Sequence, residues 1–151
     1  MEQEGAQRRE AGTERGSAAR EPKAARDVRM RVGVDLIEIE RIRRALDRYP
    51  GFRERCFTDA ERAYCDSRKN PAQSYAGRFA GKEAVGKALG LGVARAFAWR
   101  EIEIVGRPKP SVTLHGRAAE WAESVEAGRV DLSMTHSREL AAAVAVVVDA
   151  E

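Results

Sequence analysis

The stretch GRFAGKEAVGKALGLG, Gly77 to Gly92, lies within a run of mostly small or apolar residues. The run from about Gln73 to Leu89 reads as one long helix meant to be buried, with Gly90 as its C-cap. Three charged residues interrupt it: Lys82, Glu83 and Lys87. On a helical wheel Glu83 falls between Phe79, Gly86 and Gly90, inside the small face, and Lys87 follows one turn on. An i,i+4 Glu–Lys pair on a solvated face is the ordinary reading, worth about 0.2–0.5 kcal/mol. Position argues against it. A carboxylate beside two glycines sits where another backbone or a ligand can come close, and a buried carboxylate needs a partner.

Working outward, Thr58-Asp59-Ala60-Glu61 is a capping box opening a shorter helix. Asn70-Pro71 breaks the chain before the long helix. Further upstream, RVGVDLIEI (31–39) alternates Val32, Val34 and Leu36 with Arg31, Gly33 and Asp35, the period of a half-buried strand. Ile39, Ile42, Leu46 and Tyr49 then mark a helix that Pro50-Gly51 ends. Downstream, Trp99–Val105 and Val112–Leu114 read as strands around a Gly106–Pro110 loop. Arg117–Ala127 reads as a helix closed by Gly128. Val130–Thr135 and Leu140–Val148 read as a hairpin joined at His136–Glu139. Strands and helices are segregated, which predicts an α+β fold: a compact single domain with a small antiparallel sheet packed against helices.

Composition fits that domain. The chain has 151 residues, 43% hydrophobic and 34% charged. Residues 1–29 carry seven Lys/Arg and six Asp/Glu, several Gly and Ala, and only one strongly apolar residue after Met1, Val28, and are expected to be a disordered tail ahead of a domain at 30–151. No apolar run is long enough for a membrane span, and no signal-peptide core appears near Met1. Cys56 and Cys65 form no ligand or disulfide pattern, so reduced thiols in a cytoplasmic protein are expected. The net charge of +3 is an ordinary excess. A nucleic-acid-binding module would want a one-sided basic patch with interleaved aromatics. Here aromatics are 6% and the charges are mixed.

Asp35 stands where the first strand turns into a helix. It could be a cap or a solvent-facing residue. If it converges with Glu83, two carboxylates from separate elements make a hard-oxygen site suited to Mg²⁺, and nearby lysines point to a phosphate as the ion's other partner. A lone His such as His115 or His136 is usually structural or exposed.

Three blocks in order resemble one family, the small bacterial 4′-phosphopantetheinyl transferases known as holo-acyl-carrier-protein synthases. They are VGVDLIEIERIRRAL (32–46), GRFAGKEAVGKALGLG (77–92) and LSMTHSRELAAAVAVV (132–147), with a shorter Gly-x-Pro match at Gly106-Arg107-Pro108. The resemblance covers about residues 30–149. It implies transfer of the 4′-phosphopantetheine arm of coenzyme A to a serine of apo acyl carrier protein. Adenosine 3′,5′-bisphosphate is released, and the reaction serves fatty acid biosynthesis. It implies Mg²⁺ on Asp35 and Glu83, and Lys87 neutralising charge at the reacting phosphate. It implies Arg78, Lys82 and His136 near the coenzyme A phosphates and nucleotide, with Gly86 and Gly90 letting the coenzyme chain lie against the helix. The first helix, rich in Arg41, Arg43, Arg44 and Arg48, would dock the acidic carrier protein. Arg41 falls on the motif, with Arg44 and Arg48 beside it. The family works as a homotrimer with the coenzyme site between subunits. The mainly Ala/Val strand Leu140–Val148 fits burial against partner chains. An inactive scaffold of the same fold would be expected to lack the Asp or the Glu, and both are present. Pro110, Gly81 and Gly86 depart from the family pattern, each glycine costing about 1 kcal/mol of helix stability.

Overall fold

A computed structural model describes residues 28–94 and 98–151. Apart from Val28 and Arg29, the expected tail at 1–29 lies outside them. Strand β1 (Met30–Glu38) leads into helix α1 (Ile39–Arg48). Helices α2 (Phe52–Cys56), α3 (Asp59–Asp66) and α4 (Pro71–Leu89) follow, then the short α5 (Leu91–Ala94). After a 3₁₀ turn at Trp99–Glu101 come β2 (Ile102–Val105), β3 (Ser111–Leu114), helix α6 (Gly116–Ser124), and the hairpin of β4 (Ala127–His136) and β5 (Leu140–Asp149). The strands form two antiparallel sheets, β1-β5-β4 and β2-β3, instead of one.

Helix α4 organises the molecule. Asn70 caps it by accepting from the Gln73 amide, and Pro71 takes the first helical position. There its missing N–H costs nothing, so the residue read as a break is the start of the helix. Gly90 closes it at φ 74°. Ala72, Ala76, Ala80, Ala84 and Ala88 form a buried ridge at i,i+4 spacing. The helix packs on β1 and β5, and β5 answers with buried Ala141, Ala143, Ala145 and Val147. Small side chains on both elements let backbones approach closely. At Gly33 of β1 the approach is tightest: a Cβ there would land on the Ala84 carbonyl oxygen and 2.7 Å from the Ala88 nitrogen.

That contact decides which face of β1 is covered. Gly33 and Ile37 are buried and Asp35 is half-buried beside them, whereas Val32, Val34 and Leu36 are 59–64% exposed. The period-2 reading holds, but its apolar set lies on the open face. In register across β5 stand Ala142, Val144 and Val146.

The Thr58–Glu61 capping box forms as read. Two boundaries differ. Trp99–Glu101 is a 3₁₀ turn, its first bond running from the Glu101 amide to the Ala98 carbonyl, and the strand begins at Ile102. Helix α6 ends at Ser124, and Gly128 lies within β4, where a Cβ would meet the Asp149–Ala150 backbone at 2.9–3.0 Å. Gly128 is therefore a site of close strand approach.

Candidate active site

Two clefts flank helix α4. The first, about 660 Å³, lies between α1, the end of β1 and α4, lined by Asp35, Glu38, Arg41, Arg44, Arg48, Phe52, Phe79 and Glu83 among others. Asp35 reaches it because Gly33, Asp35 and Ile37 share the β1 face that looks toward α4. Glu83 reaches it from α4, so the two carboxylates do converge. The Lys87 Nζ donates to Asp35 Oδ1 and to the Val34 carbonyl, both at 2.9 Å. Burial raises the Glu83 carboxyl above the usual range, the Asp35 charge raises it further, and Lys87 and Arg41 oppose the rise. Two hard-oxygen donors that repel each other across a cleft suit a divalent cation, which would relieve the repulsion. Among the described residues no cluster of three or more His, Cys, Asp or Glu exists, so such an ion would complete its shell with water or substrate oxygens. Arg41, Arg44 and Arg48 recur at i, i+3 and i+7, one face of α1, and all three are exposed. Arg53 is instead tied to Asp66 and Tyr75, and Arg55 to the Pro50 carbonyl.

The second cleft, about 740 Å³, is basic. Arg68, Lys69, Gln73, Arg78, Arg107, Pro108 and His136 are among its lining residues, and it shares none with the first. Arg78 is buried with its guanidinium 3.9 Å from the Tyr64 ring centroid, and its Nε has no hydrogen-bond partner. A buried unpaired donor in a basic cleft suits an anion. The Gln73 amide nitrogen lies 2.7 Å from His136 Nδ1. That contact ties the start of α4 to the end of β4 and holds the imidazole at the cleft.

Two of the expected site residues lie away from both clefts. Lys82 reaches neither cleft: its side chain is 0% exposed and its Nζ donates to Glu61 Oε2 (2.8 Å) and to the Trp99 and Ile102 carbonyls (3.0 and 2.5 Å). Its position beside Glu83 in the motif does not imply a shared direction, because successive helical residues point about 100° apart. Gly90 lines neither cleft and serves as the left-handed helix end. Sequence reasoning missed Arg68, Lys69, Arg107 and Gln73. The adjacent cations Arg68-Lys69, just ahead of the α4 cap, were the available signal. Cys56 and Cys65 are free and buried, and burial pushes both thiols up, Cys65 to about 12, which leaves them unreactive.

Comparison with known proteins identifies the family. Residues 31–145 match the family model described as the 4′-phosphopantetheinyl transferase superfamily. The holo-[acyl-carrier-protein] synthase of Moorella thermoacetica is 46% identical over 122 residues, covering 78% of this chain and 93% of that protein. That of Chlamydia trachomatis is 45% identical over 116 residues, covering 76% and 96%. The crystal structure of the Helicobacter pylori holo-[acyl-carrier-protein] synthase in complex with coenzyme A superposes with a TM-score of 0.66 at 31% identity, covering 77% of this chain and 98% of that one. The chain belongs to the 4′-phosphopantetheinyl transferase superfamily, among its holo-[acyl-carrier-protein] synthases.

Proposed function

We propose that the protein transfers 4′-phosphopantetheine from coenzyme A to a serine hydroxyl of apo acyl carrier protein, releasing adenosine 3′,5′-bisphosphate, and that the acidic cleft is where transfer occurs. The observation that carries the site is the convergence of Asp35 and Glu83, from β1 and α4, with Lys87 bonded to Asp35 at 2.9 Å.

In this reading Asp35 and Glu83 would hold Mg²⁺. When bound, the ion supplies charge neutralisation on the pyrophosphate and polarises the attacked phosphorus. The chain's own groups do the rest. Lys87 is half exposed and so free to turn toward phosphate oxygens, where it offsets charge on the bridging or leaving oxygen. Arg41, Arg44 and Arg48 draw the acidic carrier protein to the cleft mouth. The basic cleft receives the phosphates and nucleotide of coenzyme A, with Arg78 offering its unpaired Nε–H and His136 its imidazole ring.

One chain presents the acidic and basic clefts as separate surfaces. A homotrimer with the coenzyme between neighbours would join one chain's basic cleft to the next chain's acidic one. The open face of the three-stranded sheet supports this: Met30, Val32, Val34, Leu36 and Val144 are 43–66% exposed, an apolar patch of the kind that marks an interface. Cytoplasmic action is part of the same reading. Among the described residues no helix is long and apolar enough to cross a membrane.

The test is mass spectrometry of apo acyl carrier protein incubated with coenzyme A, Mg²⁺ and this protein. A phosphopantetheine mass increase on the carrier serine is expected. An unmodified carrier protein under these conditions refutes the reading. Light scattering of the protein alone should give a trimer mass.

A further inference from the structure

We propose that Glu61 and Lys82 form a positioning pair for the acidic cleft, setting the rotation of α4 so that Glu83 faces Asp35. This rests on the reading of that cleft as the metal-holding transfer site. Both side chains are 0% exposed. All three ammonium hydrogens of Lys82 are used, on Glu61 of α3 and on the Trp99 and Ile102 carbonyls at the entry to β2. Glu61 is equally committed: Oε1 accepts from the Ile104 amide (2.7 Å), and Oε2 from the Thr58 amide (2.8 Å) as well as from Lys82. Five bonds thus converge on two side chains and tie α3, α4 and β2 together.

The pair is poorly explained by stability alone. Burying two charges is costly, and well-packed apolar side chains of similar volume often serve as well or better. What apolar packing does not supply is a fixed direction. Tyr75, Lys87 and the Leu89 carbonyl tie α4 to its neighbours nearer its ends, whereas around Glu83 the Ala ridge against Ala-rich β5 by itself does little to resist rotation of the helix about its axis. A lysine saturated by three acceptors resists it, and the angle between Lys82 and the next residue is fixed at about 100° by helix geometry. Pinning Lys82 therefore aims Glu83. A second path leads to the same cleft: Lys82 holds the Trp99 carbonyl, the Trp99 ring packs on Phe79 with centroids 5.2 Å apart, and Phe79 lines the cleft beside Glu83.

The test is the double variant Lys82→Met/Glu61→Gln, which removes both charges and leaves an acceptor for the Ile104 amide. Folding is followed by circular dichroism and thermal denaturation. Binding of Mn²⁺ alone, without coenzyme A, is measured by electron paramagnetic resonance. The folded double variant should bind Mn²⁺ roughly tenfold more weakly, the low end for residues that orient metal ligands. Its kcat should fall comparably while KM for coenzyme A stays near wild type. A folded double variant with wild-type Mn²⁺ affinity and kcat overturns the proposal. If it does not fold, Glu61→Asp is read the same way. It keeps both charges but shortens the tether by one methylene, and unchanged Mn²⁺ affinity in that folded variant overturns the proposal too. Failure of the transferase reading itself would appear separately, as absence of carrier-protein modification by the wild type.

Discussion

At the scale of single residues the acidic cleft carries the heaviest demands. Asp35→Ala and Glu83→Ala should each lower transfer by about 10²–10³-fold or more, since each removes half of the proposed ion's protein ligands. Circular dichroism should find the fold intact, and near-wild-type rates from either variant would refute the site. Glu83 should also cost stability. Burial and the Asp35 charge raise its carboxyl in the folded state, so the folded chain holds that proton more tightly than the unfolded one. The stabilisation this provides is complete below the ordinary carboxylate range and is lost as pH rises through the raised value. Without metal at pH 7–8, ionised Glu83 is thus a burden, and Glu83→Gln should raise Tm by about 1–3 °C. The gain should vanish as the buffer is taken down toward pH 4. A stability difference that grows with acid would contradict the sign. On α1, Arg41→Glu should raise KM for carrier protein several-fold, leave KM for coenzyme A nearly fixed, and weaken the salt dependence. A shift in the coenzyme constant instead would mean that this face does not dock the carrier.

At the scale of elements, two glycines that touch α4 should behave differently. Gly33→Ala puts a methyl against the Ala84 carbonyl and Ala88 amide. Both are backbone atoms inside a helix and cannot yield, so a loss of about 3 kcal/mol or more is expected. Gly81→Ala meets the Ile104 Cδ1 at 2.6 Å, the end of a flexible side chain. Its repacking cost is offset by up to about 1 kcal/mol of gained helix propensity, so chemical denaturation should find it much the milder. This contrast also explains what the sequence could convey. The existence of β1, α4 and the β4–β5 hairpin followed from periodicity and caps, because those signals are local. The covered face of β1 did not follow, since Val32, Val34 and Leu36 look like core residues until α4 is seen to pack on the Gly33 face. The fate of Lys82 was equally hidden: its acceptors lie 17 to 21 residues away, and only the folded topology brings Glu61 to it. Asp35, Glu83 and Lys87 were legible as a group through the family motif, whereas Arg68, Lys69 and Gln73 became visible only when the turn before α4 closed over the end of β4.

At the scale of the whole molecule, the separation of the two clefts makes the strongest demand on the proposed trimer. If each working site takes Asp35 and Glu83 from one chain and Arg78 and His136 from its neighbour, two differently broken chains can repair each other. A Glu83→Ala chain keeps an intact basic cleft, and an Arg78→Ala chain keeps an intact acidic one. Each refolded alone should be nearly inactive. Denatured together in equal amounts and refolded as mixed trimers, about one site in four should receive both intact halves, because each head-to-tail, heterologous interface draws its acidic half and its basic half independently. Activity should therefore recover to roughly a quarter of wild type. The same mixture made with Val34→Glu in both chains should recover none, since a charge on the exposed apolar face disfavours assembly. If the two clefts of one chain instead served one site, no mixture could restore function, because every site would carry one of the two lesions.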